Sequence, residues 1–311
     1  MQFNRRDFCR TAIAAGSSLI PAASLCAADA QQPADNKKFK LNYIVASCMY
    51  GKLPLAQIVP EVPKSHATHL EIWATPHGNQ REQLDEMGEE KFIDLLNEHQ
   101  VKLGSFTCFK YGIFKMQPEM KLVKRLGGDM VICNTGGPKN LEGSELKTEV
   151  NKFAEKMKPH IAAAEEIGVT IGVENHSGGL IASPDSIRML FDLVDSPSIG
   201  LAMAPYHLPQ EPELIGGLIE ELGPRLVHFQ AWEHGMGCTK KLPKEQELMQ
   251  LPHRGPLDWK PILASLKRIN YQGRTEIFMH PVPRGIPILP KLEDVTKEIN
   301  ASRESLESLI A

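Results

Sequence analysis

From residue 41 onward the chain repeats one pattern eight times: a short run rich in β-branched and apolar residues, then a longer stretch with helical spacing. The strand-like runs fall at 41–47, 69–74, 102–109, 129–134, 169–174, 198–204, 226–231 and 275–279. Helix-like stretches between them include 89–99, 144–167, 184–194, 212–222 and 258–269. Strands separated by helices return in the same direction after each crossover, so they pair in parallel and need apolar cover on their faces. Eight such units over roughly 250 residues have the dimensions of a closed (β/α)8 barrel, a TIM barrel of the α/β class. An open doubly wound sheet is the alternative. It would carry a glycine-rich phosphate fingerprint after an early strand, and Gly127-Gly128 and Gly136-Gly137 have the wrong spacing for one. One barrel over residues 41–311 is the expectation.

The first thirty residues are a different material. Arg5-Arg6 precede a short run rich in Ala, Ser and Gly, and Ala28-Asp29-Ala30 puts small residues where a signal peptidase reads. Residues 1–30 are expected to be a twin-arginine signal peptide and 31–40 a polar linker, placing the protein in the periplasm or another extracytoplasmic space. The apolar run is too short and too weakly hydrophobic for a stable membrane span. Beyond it, Cys48, Cys108, Cys133 and Cys238 form no C-x-x-C pair, which excludes a zinc ribbon or thioredoxin-like motif. Most read as small buried hydrophobes, while an oxidising compartment leaves a disulfide open. A formal net charge of -3 provides no basic field for nucleic acid. The oligomeric state is left open.

In such a barrel the chemistry sits at the C-terminal ends of the strands, and strand parity tells which side chains face inward. In the fifth run Val169, Ile171 and Val173 share a face that suits helix packing, whereas Thr170, Gly172 and Glu174 share the other. Glu174 therefore projects into the barrel mouth. A carboxylate ending an apolar strand costs free energy unless it is paired or ligated, so its presence points to function. The same alternation turns Glu71 and Trp73, Gly200, Ala202 and Ala204, His228 and Gln230, and Glu276, Phe278 and His280 inward. His207 follows the sixth run. His176 and His234, in polar loops, are weaker candidates.

Several segments together resemble the xylose isomerase-like barrels, which include sugar isomerases and ketose 3-epimerases: Leu70-Glu71-Ile72-Trp73, Val173-Glu174-Asn175-His176, Ser183-Pro184, Pro205-Tyr206-His207-Leu208, Val227-His228-Phe229 and Tyr271-Gln272-Gly273. The resemblance implies a divalent metal held by Glu, Asp, His and Glu from the fifth to eighth strands, with proton transfer through an enediolate. Carried onto this chain, the first Glu is Glu174 and the His is His228, but the Asp position holds Ala204 and the last Glu position Phe278. His207, His280 and Glu276 are the available substitutes. A site of Glu174, His207, His228 and His280 would be rich in nitrogen and favour zinc or another transition metal. The implied function is a sugar or sugar-derivative isomerase, epimerase or lyase, with Glu174 and His207 catalytic. Glu71, Trp73, Lys110, Trp232 and Arg284 would contact a carbohydrate or polyol substrate. A carbohydrate-binding barrel without catalysis is the alternative, and a hydrolase like the type IV apurinic endonucleases is a third reading that the acidic balance disfavours.

Overall fold

The computed structural model describes residues 38–310; the expected signal peptide, and the linker up to residue 37, lie outside the described residues. Eight parallel strands close on themselves in chain order, β1 pairing with both β2 and β8. They are β1 (Asn42–Ala46), β2 (His69–Trp73), β3 (Lys102–Thr107), β4 (Met130–Asn134), β5 (Thr170–Glu174), β6 (Ile199–Met203), β7 (Leu226–Ala231) and β8 (Arg274–Ile277). The open-sheet alternative is thereby set aside. Helices α1 (Leu55–Ile58), α2 (Glu61–Lys64), α3 (Gln80–Met87), α4 (Glu89–Glu98), α5 (Gln117–Arg125), α6 (Gly143–Ile167), α7 (Pro184–Leu193), α8 (Pro212–Leu222), α9 (Lys244–Glu247), α10 (Trp259–Arg268) and α11 (Leu292–Ile310) lie in the crossovers and after β8. Among the described residues no helix is long and apolar enough to cross a membrane.

Local chemistry explains where elements start. Ser183 precedes Pro184 at the first helical position of α7, and its Oγ accepts from the Ser186 backbone N–H at 3.2 Å. Ser186 Oγ in turn accepts from the Ser183 backbone N–H at 2.9 Å, a reciprocal cap that satisfies two otherwise orphaned donors. On β5 the outward residues Ile171 and Val173 are fully buried in the main hydrophobic cluster. The inward Gly172 keeps the bore open, since a β-carbon there would touch Ile132 and Ala202. Met130, Ile132 and Ala202 form a small separate cluster with Val227 packed on it. Cys48, Cys108, Cys133 and Cys238 are buried and free.

The ladder departs from regularity in two places. Between β2 and β3, Leu70 pairs with Leu103 but Glu71 pairs with Ser105, leaving Gly104 as an extra residue on β3. Between β6 and β7, Leu201 pairs with Leu226 but Ala202 pairs with His228, leaving Val227 extra on β7. Such irregularities re-aim neighbouring side chains. Here they fall beside Glu71 and His228.

The connection from β7 to α10 is long, and a buried carboxylate pins it. Glu233 Oε2 accepts from the Leu257 backbone N–H at 2.7 Å and Oε1 from the Trp259 indole N–H at 3.1 Å. Gly255 packs against it so closely that a β-carbon would overlap the Glu233 carboxylate and the Met249 carbonyl. Burial outweighs the two donors and pushes the Glu233 carboxyl up to about 7. A carboxyl that holds its proton more tightly when folded favours the folded state at low pH. That contribution is lost as pH rises from about 4.5 through about 7, amounting to roughly 3 kcal/mol. Glu233→Gln should lower stability overall, because an amide N–H then faces a donor, yet flatten the fall in melting temperature between pH 5 and 8. Parallel melts of both proteins across that range check it; identical slopes would rule out the assignment.

Candidate active site

The ionisable groups of the bore gather in two clusters. The outer one joins Glu174, at the end of β5, to His176 and His207 in the loops after β5 and β6; the donor atoms of these three lie within 4.8 Å of one another. Glu174 Oε1 is 3.8 Å from His207 Nε2, and Glu174 Oε2 accepts from the Gln230 side-chain amide at 3.3 Å. His207 Nδ1 is 3.1 Å from Ser177 Oγ, while its Nε2 is buried without a hydrogen-bond partner. The rings of His176 and His207 are 4.1 Å apart. Asn175 fixes the loop beneath them: its side-chain amide donates to the Ala204 carbonyl at 3.0 Å and accepts from the Ala204 N–H at 2.8 Å.

The inner cluster joins three strands. His228 Nε2 lies 3.3 Å from Glu276 Oε2 and 3.7 Å from Glu71 Oε2, and all three residues have 0% exposure. The Thr107 hydroxyl donates to Glu71 Oε1. Glu71 Oε2, Glu276 Oε1 and His228 Nδ1 have no partner.

Aromatic rings cover this inner cluster. Phe278, two residues beyond Glu276, stacks on Trp73, two beyond Glu71, with centroids 5.2 Å apart and planes 19° from parallel. The Trp232 ring meets Phe278 edge-on at 5.0 Å and stacks on Tyr206 at 3.9 Å, while its indole N–H donates to Gln250 Oε1 at 3.0 Å. His280 packs edge-on against Trp73, Trp232 and Phe278, and lies 4.5 Å from the ring of His77.

Burial dominates the electrostatics. It holds the Glu174 carboxyl well above the usual carboxylate range, reinforced by the negative charges of Glu276 and then Glu71. Burial raises Glu71 and Glu276 to about 8. It also drives the imidazoles down: His176 and His77 to about 4, His207 to about 2 and His280 well below the ordinary value, with Arg284 contributing to each. At neutral pH the mouth presents uncharged imidazoles, which can serve as hydrogen-bonding groups or metal ligands.

The four residues expected to share one metal are divided. Glu174 and His207 stand together in the outer cluster, His228 belongs to the inner one with Glu276, and His280 packs among the rings. His228 shares a register row with Ala202 and Glu174, but its ring turns to Glu276 and Glu71, whereas His207 lies past the strand end. The family's four-ligand pattern does not fit here, because Ala204 offers a methyl and Phe278 a ring. Glu71 and Trp73 lie deep, both essentially unexposed. Lys110 is tied to Glu82 at 2.6 Å on the exposed rim. Arg284 donates to the Pro281 carbonyl at 2.8 Å and faces Cys238 Sγ at 3.2 Å. His77 was not foreseen; its position just past β2, at the catalytic end of the barrel, was the available signal.

The xylose isomerase-like TIM barrel family matches residues 66–309, and the chain belongs to that family. Its fold is similar to that of D-psicose 3-epimerase from Clostridium cellulolyticum H10, solved with D-tagatose, at 16% identity and TM-score 0.66, covering 87% of this chain and 99% of that one. A zinc-bound IolI protein is similar at 15% identity and TM-score 0.64, covering 87% and 98%. The probable 3-DHS dehydratase AsbF of Bacillus anthracis is similar at 11% identity and TM-score 0.62, covering 86% and 99%. No curated protein matches the chain.

Phe278 takes a position where the family carries a ligand and makes it part of the packing. Phe278→Ala should cost about 3–5 kcal/mol and lower the melting temperature by on the order of 10 °C. A thermal melt that moved by only a degree or two would show the ring to be dispensable.

Proposed function

We propose that the protein is an isomerase or epimerase of a sugar or sugar derivative, working by proton transfer at the outer cluster. The observation that carries this reading is the Glu174 carboxylate, 2% exposed at the end of β5, with one oxygen facing the unpartnered Nε2 of His207. A carboxylate placed beside a substrate carbon can act as its general base, and burial raises its affinity for the proton it takes. Glu174 takes the proton from a carbon next to the substrate carbonyl. The C–H electron pair becomes the C=C bond of the enediolate as the carbonyl π pair moves onto its oxygen. Return of the proton to the neighbouring carbon, with that carbon's hydroxyl proton passing to the former carbonyl oxygen, isomerises the sugar; protonation of the original carbon from its opposite face by solvent, with Glu174 releasing its proton to solvent, epimerises it.

Arg284 and the aromatic walls support binding of a polyhydroxylated substrate. A divalent ion, zinc or another transition metal, is part of this reading: Glu174, His176 and His207 would hold it, and when bound it would polarise a substrate oxygen. The donor set fits, since the His207 Nε2 is buried and unpartnered. Export by the twin-arginine route, as a folded protein, is proposed on the leader sequence alone.

A carbohydrate-binding barrel without turnover is the second reading, favoured by Ala204 and Phe278 at the family's ligand positions. The two separate in deuterium oxide. Incubation with D-psicose, D-fructose and D-tagatose should wash deuterium into a carbon position, seen as loss of a proton resonance, and Glu174→Gln should slow the exchange at least about 100-fold. Sugar binding without exchange would sink the catalytic reading, as would exchange unaffected by the substitution.

A further inference from the structure

The inner cluster takes no part in the chemistry proposed for the mouth, and it is an expensive arrangement to leave unexplained. Two carboxylates and an imidazole stand in the bore with 0% exposure, drawn from three different strands, β2, β7 and β8. No N–H or O–H group donates to Glu71 Oε2, the atom aimed at His228 Nε2, while the carboxyls of Glu71 and Glu276 stand close enough to bond to each other. Buried polar atoms left unpaired each cost about 1–3 kcal/mol, so a fold that retains them at such a focus has a reason to do so.

We infer that Glu71, His228 and Glu276 form a buried binding site for a divalent transition-metal ion, with a structural rather than a catalytic role. Spacing is the first argument. Ligand atoms about 2.1 Å from a tetrahedral zinc ion lie about 3.4 Å from one another. His228 Nε2 stands 3.3 Å from Glu276 Oε2 and 3.7 Å from Glu71 Oε2, so an ion fits between them with small side-chain movements. Charge is the second. Two carboxylates balance a divalent cation, leaving an electroneutral group to bury. Support from behind is the third. The Thr107 hydroxyl holds the second oxygen of Glu71, as outer partners commonly do for metal-bound carboxylates. The two irregularities of the ladder, at Gly104 and Val227, lie beside Glu71 and His228.

The site differs from the one the family resemblance implies, which uses the ends of the fifth to eighth strands. Here the ligands sit one pleat step deeper on β8 and include a residue of β2. The stacked rings of Trp73 and Phe278 lie directly beyond Glu71 and Glu276, so a substrate in the mouth cannot touch the ion without parting that stack. The ion therefore ties three strands together beneath the mouth, and the inference stands whether or not the mouth turns over sugar.

The test reads metal and stability rather than turnover. The folded full-length protein, purified without chelators, is loaded with Zn2+ or Mn2+, freed of excess ion and assayed for metal content and melting temperature. The expected result, read in a His176→Ala/His207→Ala background that removes the ion proposed for the mouth, is one retained equivalent of metal that falls at least tenfold when Glu71→Gln or Glu276→Gln is added. Loading should also raise the melting temperature by several degrees, and only the two glutamate variants should lose that rise. Because Gln preserves shape, the metal-free variants should keep the wild-type far-ultraviolet spectrum. Should one fail to fold, Co2+ added to the His176→Ala/His207→Ala protein still decides, through the visible bands of a low-coordinate nitrogen–oxygen site. Metal content unchanged by either glutamate substitution, or no retained metal and no cobalt spectrum in the His176→Ala/His207→Ala background, would each overturn the inference.

Discussion

A closed ring of strands gives its inward side chains neither solvent nor helices to lean on, and everything distinctive about this protein follows from what it places there. Most of the inner surface obeys the rule with small or apolar residues such as Gly172, Met130, Ile132 and Ala202. Glu71, Glu174, His228 and Glu276 break it. An isolated charge in such a space is costly enough that the group gives up its charge or finds a counter-charge. The raised carboxyls and lowered imidazoles of the bore are that cost made visible.

The mouth above them is built from rings. Where relatives are expected to put acids, this chain has a methyl group and a phenyl group, and the phenyl joins Trp73, Trp232 and His280 in a continuous packed layer. Glu174 and a pair of imidazoles gather past the ends of β5 and β6, while two carboxyls and an imidazole gather on β2, β7 and β8. Gln230 reaches toward both groups, donating to Glu174 and lying on the same strand as His228.

The barrel was legible because its signals are local. Periodicity marked all eight strands to within a few residues, and the Ser183-Pro184 start of α7 could be read from a hydroxyl followed by a ring. Parity likewise told that Glu71, Glu174, His228 and Glu276 face inward. Partners were not legible. Alternation says which side of a strand a residue is on, not which inward neighbour its side chain turns to, and that choice sets His228 against Glu276 and Glu71. The stack of Trp73 on Phe278 was hidden for the same reason: it joins β2 to the segment after β8, some two hundred residues apart in the chain.

The two extra residues in the ladder have a wider consequence. Gly104 and Val227 sit on β3 and β7, which stand four places apart in a ring of eight and so face each other across the axis. A closed ring cannot absorb one added residue by fraying at an edge, since it has no edge. An extra residue shifts the stagger at which neighbouring strands pair, and two such steps on opposite walls divide that stagger between the two sides of the ring.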